Sequence, residues 1–426
     1  MWPVSVAGQY PLASGDRPPR DTKGSLMGVS RRKIGGVLLA ATLAVGLTGG
    51  TANATGDGRN DLRQAMSSLT EAGIAGVQLR IHDEQGDWTG SAGVRELSGG
   101  RVATNGRFRV GSITKSFVST VVLQLVREGK VVLDRPVADY LPQYGFDPRI
   151  TVRMLLRHES GLFNYTGEGH PDGTVEPGIP LFGPDFVANR FRSYTPDELI
   201  AVSLSKPARF APGTSWSYSN TNYIVAGQLI RKVTGTPWEF QVRRRVIEPL
   251  GLRGTVIPGN WAGLPDPHAH GYYTYRDGGP LTVVDATRVN PSWANSAGQI
   301  ISTTRDLDTF VSALAGGRLL PPDLLAQMTA SSQFAPYGLG LELLDAGPTC
   351  GGVHFGHTGG LHGFQSFMFT TPDRSTRIEM SLTSGNADLD DPAVAARVIE
   401  ALNNVLLTAF CDSPPADRTL GVPLAA

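Results

Sequence analysis

Residues 109–130, RVGSITKSFVSTVVLQLVREGK, constrain the fold of this chain more than any other stretch. They read as the end of a strand, a glycine, and then a helix starting at Ser112. Ile113, Phe117, Val118, Val121, Val122, Leu125 and Val126 recur at helical spacing and cover more than one face, so this helix belongs inside a core rather than on a surface. Ser112 and Lys115 are three apart and share one side of the first turn. Unpaired backbone N–H groups and the positive helix end favour developing negative charge there. The arrangement suits a serine nucleophile with an amine beside it.

Ser-x-x-Lys occurs three times among only six lysines, at Ser30/Lys33, Ser112/Lys115 and Ser203/Lys206. The first lies in a targeting segment, and the third sits at a helix end that Pro207 stops. Context leaves Ser112 and Lys115 as the candidate pair, with an N-cap serine as the plain alternative.

The first 54 residues read as an address. Arg31, Arg32 and Lys33 precede an apolar run from Ile34 to Leu47, and Ala52-Asn53-Ala54 offers a cleavage site, so residues 1–54 form a secretory signal, with Met27 as a second candidate start. Ser30-Arg31-Arg32 fits a twin-arginine route and equally an ordinary basic segment. The run is too short and glycine-rich for a stable membrane span. A secreted, extracytoplasmic protein is the expectation. In an oxidising compartment the two cysteines, Cys350 and Cys411, are expected to be bonded to each other.

The 426 residues carry 38 basic and 38 acidic side chains and no long run of either sign, which argues against a nucleic-acid or anionic-membrane partner. A small molecule fits better. Two cysteines and eight histidines without HExxH spacing imply no metal, and no cofactor is expected.

The remaining text divides three ways. A helix over 60–72 leads to strands 77–81 and 88–92 around the turn Asp83–Gly86, a hairpin. From about 146 to 290, Gly- and Pro-rich loops alternate with helices, one opening on the capping box Thr195-Pro196-Asp197-Glu198. Strands at 337–344, 353–355, 363–370 and 377–384 follow, then a helix over 392–410. The fold class is therefore α+β: an antiparallel sheet built from both termini and flanked by helices, with a mainly helical insert. The implied division is 55–145 with 291–411 as an α/β sheet domain, 146–290 as a mainly helical domain, and 412–426 as a disordered tail.

Two later segments supply partners for Ser112. Tyr218 and Asn220 form the one Tyr-x-Asn among eleven tyrosines, in a turn just before a helix. Alternate residues of an extended turn point the same way, so a phenol and an amide can line one pocket. His357-Thr358-Gly359-Gly360 lies on a strand edge, where glycines let a substrate backbone approach. The N–H groups of Gly360 and Ser112 could then hold an oxyanion.

Ser-x-x-Lys, Tyr-x-Asn and His-Thr-Gly in this order resemble the penicillin-binding protein and class C β-lactamase superfamily of active-site serine hydrolases. The similarity is closest to the secreted serine-type D-alanyl-D-alanine carboxypeptidase. It runs through RFRVGSITKSF, ITVRMLLRHESGL, YSNTNYIVAGQLI, SAGQIISTTRDLDTF and YGLGL and covers most of residues 60–411. The resemblance implies the β-lactamase/DD-peptidase fold and an acyl-enzyme on Ser112. Lys115 and Tyr218 would manage the proton, Asn220 would hold the substrate amide, and His357 would tune the tyrosine. Thr358, Gly359 and Gly360 would bind substrate, and Trp293 matches an aromatic wall. The Cys350–Cys411 pair also matches a disulfide there.

Two positions depart from the pattern. The resembled carboxypeptidase grips the terminal carboxylate of its peptide with a threonine after His-Thr-Gly and an arginine after the YGLGL strand; here those positions hold Gly360 and Glu342. Glu159, where HTSG is common, is a smaller departure. The expected activity is thus D-alanyl-D-alanine carboxypeptidase action on a peptidoglycan stem peptide, with β-lactams as acylating inhibitors or substrates. The alternative is an esterase, amidase or D-aminopeptidase acting on a small acyl substrate, and a third reading is a silent binder of wall peptides. The histidines at 82, 158, 268, 270, 354 and 362 read as structural.

Overall fold

The computed structural model describes residues 58–169 and 174–411. The expected signal and tail lie outside the described residues. A seven-stranded antiparallel sheet is built from both ends of the chain. Its strands are β1 (Ile74–Asp83), β2 (Gly86–Glu96), β3 (Gly99–Arg101), β4 (Glu342–Asp345), β5 (Val353–Leu361), β6 (Phe364–Thr370) and β7 (Arg377–Ser384), in the order β4-β5-β6-β7-β1-β2-β3. The register Val77↔Leu382, Leu79↔Met380 and Ile81↔Ile378 joins the first strand to the last and sets these apolar residues on one face. Helices α1 (Gly58–Glu71) and α2 (Pro392–Phe410) cover that face. Leu62, Met66 and Leu69 of α1 and Val398, Leu402, Val405 and Leu406 of α2 close a dry core on it. Ile399, which the periodicity also admits to the apolar side, is 41% exposed at the margin of the helix.

The expected disulfide is present. Cys350, just before β5, is bonded to Cys411 at the end of α2.

The helix after Ser112, α3 (Thr114–Arg127), is enclosed as its composition requires: every residue from Thr114 to Leu125 is buried. Phe117 stacks on Phe310 at 3.8 Å, and the second core grows outward from this helix. The helix begins two residues later than the sequence suggests, because Gly111–Ile113 forms a 3-10 turn first. Gly111 sits at φ +52°, and a Cβ there would stand 2.6 Å from the Gly360 backbone nitrogen, so only glycine brings the serine turn this close to β5.

The helix α4 (Pro196–Leu204) carries the expected capping box between Thr195 and Glu198. The helix after Tyr218, α5 (Asn220–Thr234), packs on α3. A strand over 337–344 is not formed in full, since only β4 from Glu342 onward is extended. Gly340 at φ +79° interrupts it, its carbonyl accepting from Ser116 Oγ of α3 at 2.8 Å, and the loop instead sets Tyr337 among His158, Tyr218 and His357.

Candidate active site

Four chain segments meet at Ser112. The 3-10 turn presents the hydroxyl, the first turn of α3 presents Lys115, the start of α5 presents Asn220 with Tyr218 just before it, and β5 runs alongside with His357 to Gly360. Ser-x-x-Lys works here because three residues on a helical turn return the amine to the serine.

Lys115 is fully buried, and its Nζ lies 2.9 Å from Ser112 Oγ, 2.8 Å from Asn220 Oδ1 and 2.8 Å from the Ala297 carbonyl. Burial drives its pKa well below the ordinary lysine range, against the opposing pull of Glu342. A neutral amine has two N–H donors and one lone pair. The amide oxygen and the carbonyl can only accept, so they take the two donors and leave the lone pair facing the serine hydroxyl. The contact geometry and the depressed pKa therefore point to the same state, an amine able to take a proton.

Burial raises the Tyr218 phenol well above the usual value, outweighing the opposing effect of the Ser112 hydroxyl, so it is a proton donor rather than a ready anion. Lys115 Nζ lies 4.8 Å from its ring centroid. His158 packs on the other side, its ring 4.2 Å from that of Tyr218. His158 Nδ1 accepts from Ser219 N and faces Asn222 Nδ2, both at 3.1 Å, and burial beside Lys115 keeps the ring neutral.

His357 bonds elsewhere than expected. Its Nε2 faces the hydroxyl of Tyr337 at 2.8 Å rather than Tyr218, and its Nδ1 faces the Thr358 carbonyl. Those contacts place the proton on Nδ1 and make Tyr337 the donor to Nε2. Burial and the nearby lysine push the His357 pKa down to about 3, so the ring is neutral, and its 3.3 Å approach to Glu342 is a close contact rather than an ion pair. Glu342 accepts from Thr358 N at 3.0 Å and Thr358 Oγ1 at 2.8 Å, and burial raises its acid to about 7.

Asn220 is held from both ends, its Oδ1 taken by Lys115 and its Nδ2 3.3 Å from Thr166 Oγ1. Gly359 lies under the serine turn, where a Cβ would come within 3.0 Å of Ser112 N. Trp293 is half-buried beside His362, ring centroids 5.6 Å apart, and its backbone carbonyl accepts from Tyr165 at 2.6 Å. The other two Ser-x-x-Lys pairs stay apart from the site. Ser203 Oγ donates to the Phe163 carbonyl and Lys206 pairs with Glu176, while Ser30 and Lys33 lie outside the described residues. No metal-ligating cluster occurs among the described residues.

The sequence reading missed Tyr337 as a site residue and assigned His158 only a structural part. The signal available for both was their place within YGLGL and RHESGL, the stretches that carry the family resemblance.

A family model described as "Beta-lactamase" matches residues 60–403. A D-stereospecific amidohydrolase from Streptomyces sp. is 38% identical with a TM-score of 0.70, and the match covers 83% of this chain and 99% of that one. A D-amino acid amidase from Ochrobactrum anthropi SV3, complexed with D-phenylalanine, is 28% identical with a TM-score of 0.69 over the same shares. Among curated proteins, a D-aminopeptidase of Brucella ovis is 28% identical over 287 residues, 66% of this chain and 51% of that protein. The chain spans about half or less of the length of the first curated relatives it matches.

Proposed function

The chain belongs to the β-lactamase family of serine hydrolases, and from that premise we propose that it cleaves amide bonds on the carbonyl side of a D-amino acid, as an amidase or short-peptide hydrolase. Small acyl or amide compounds are its substrate class. The observation that carries the chemistry is the buried Lys115 with Ser112, Asn220 and Ala297 around its Nζ.

In this reading Ser112 Oγ attacks the carbonyl carbon while its proton passes to Lys115 Nζ. The N–H groups of Ser112 and Gly360 take the oxyanion. The C–N bond breaks as Tyr218 gives its proton to the departing nitrogen and is reprotonated from Lys115. Water then attacks the acyl-enzyme, giving its proton back through the same groups, and Ser112 is restored as the acid leaves. Asn220 and the free edge of β5 hold the substrate amide. Trp293 and His362 bound the acyl side.

Two features favour this reading over D-alanyl-D-alanine carboxypeptidase action on wall peptides. Two solved structures similar over 83% of the chain are a D-stereospecific amidohydrolase and a D-amino acid amidase, and Gly360 and Glu342 replace the pair that would grip a terminal carboxylate. β-Lactams, being strained amides, are expected to acylate Ser112. The bonded cysteines support an extracytoplasmic site of action, since such pairs persist in oxidising compartments.

The test is release of ammonia from D- and L-phenylalaninamide, and of D-alanine from an N-acylated D-Ala-D-Ala peptide, by wild type and Ser112→Ala. Ammonia released from the D-amide by wild type alone supports the proposal. D-alanine release without amide turnover would replace it with the carboxypeptidase reading.

A further inference from the structure

The pairing of β4 with β5 runs from Asp345↔Val353 only to Glu342↔Gly356, so the rest of β5, His357 to Leu361, has an edge that β4 does not cover. An extended substrate with its carbonyl between Ser112 N and Gly360 N can add to this edge backbone to backbone. One end then points toward Leu361 and His362. The other points back toward Thr358, where Glu342 closes the edge, at a position that in the resembled carboxypeptidase faces the departing residue.

Glu342 is held ready for a ligand. Thr358 fixes both of its oxygens and His357 Nδ1 approaches one of them, yet 19% of the side chain remains open to solvent. A carboxylate accepts about four hydrogen bonds, so capacity is left over. Its charge reaches the reacting groups, because it acts on both Lys115 and Tyr218. Among the described residues no arginine or lysine forms an ion pair with it.

We propose that Glu342 selects the leaving group, accepting amines whose far end is neutral or positively charged and rejecting those that end in a carboxylate. The assignment deepens the amide-hydrolase reading and rests on it. A carboxylate beside Glu342 would set two like charges in a poorly solvated corner, whereas a carboxamide can donate an N–H to it and an ammonium adds charge attraction. Gly360 offers such a carboxylate no hydroxyl. The pKa of Glu342, raised by burial to about 7, leaves it ionised in mildly alkaline buffer.

The experiment uses D-phenylalanyl conjugates of glycine, glycinamide and ethylenediamine, which differ only at the far end of the leaving amine, at about pH 8.5, above the Glu342 value. The glycinamide and ethylenediamine conjugates are expected to exceed the glycine conjugate in kcat/KM by about tenfold or more. In Glu342→Gln the ratio falls to within about threefold, and in Glu342→Arg it inverts. A wild-type ratio within about threefold overturns the assignment, as does a ratio that Glu342→Gln leaves unchanged while circular dichroism shows a native fold. The wild-type ratio decides by itself if neither variant folds. Turnover of D-phenylalaninamide without end-group discrimination would sink only the role of Glu342. Hydrolysis of an activated ester at Ser112 with no turnover of any amide would sink the amide-hydrolase reading, and this assignment with it.

Discussion

Lys115 is the residue on which most rests. Because burial lowers its pKa, the amine becomes neutral well below the pH at which a free lysine does, and activity should rise on the acidic side as it loses its proton. Lys115→Ala is expected to lower kcat by about 10² to 10⁴, the usual range for one acid–base group, with the acidic limb of the pH–rate profile lost; a profile unchanged in shape would exclude it as the base. Tyr337→Phe removes the donor to His357 Nε2 and should cost about 1 kcal/mol in stability, read as a lower midpoint in urea. At this scale the sequence told much. Ser112, Lys115, Tyr218 and Asn220 announce themselves by spacing, since a helical turn or an extended dipeptide fixes which side chains coincide. Tyr337 and His158 do not, because nothing local in their segments says that a left-handed glycine or a tight helix end will swing them against Tyr218.

Elements with a strong period were the legible ones. The α2 helix spans 392–410 and β7 spans 377–384, as read, because α2 repeats apolar residues at helical spacing and β7 alternates apolar and polar ones without interruption. The segment 337–344 misled, since its apolar residues alternate like a strand while Gly338 and Gly340 serve a loop under α3. Helix α3 is packed on all sides, so Phe117→Ala should cost about 3–5 kcal/mol and remove the ring that Phe310 stacks upon; thermal unfolding would show it. In β7, Glu379 is fully buried with neither carboxylate oxygen hydrogen-bonded. Burial raises its pKa well above the ordinary glutamate range. The folded state therefore keeps this proton while the unfolded chain releases it, and stability falls as pH rises above the unfolded value. Glu379→Gln should flatten that fall, giving a Tm gain over wild type that grows from acidic to neutral pH; a gain independent of pH would count against it.

Across the whole molecule, the antiparallel sheet made from both termini was readable from strand patterns at each end, but its order was not, because sheet neighbours are chosen by long-range packing. The Cys350–Cys411 bond spans 61 residues and should stabilise the fold by about 4 kcal/mol in the chain-entropy model. Reductant, or Cys350→Ser with Cys411→Ser, is expected to lower Tm by several degrees, and an unchanged Tm would mean the bond constrains little. The pairing of β1 with β7 has a consequence in time. Ile74 leaves the ribosome 303 residues before Arg377, its partner strand's first residue, an interval of roughly 15–60 s at about 5–20 residues per second. Throughout it the inner edge of β1 is open, and the serine has been made without the strand that must lie beside it. The nascent chain is thus a nucleophile without a site. Catalysis should appear only after the last strand is released, all at once rather than by degrees.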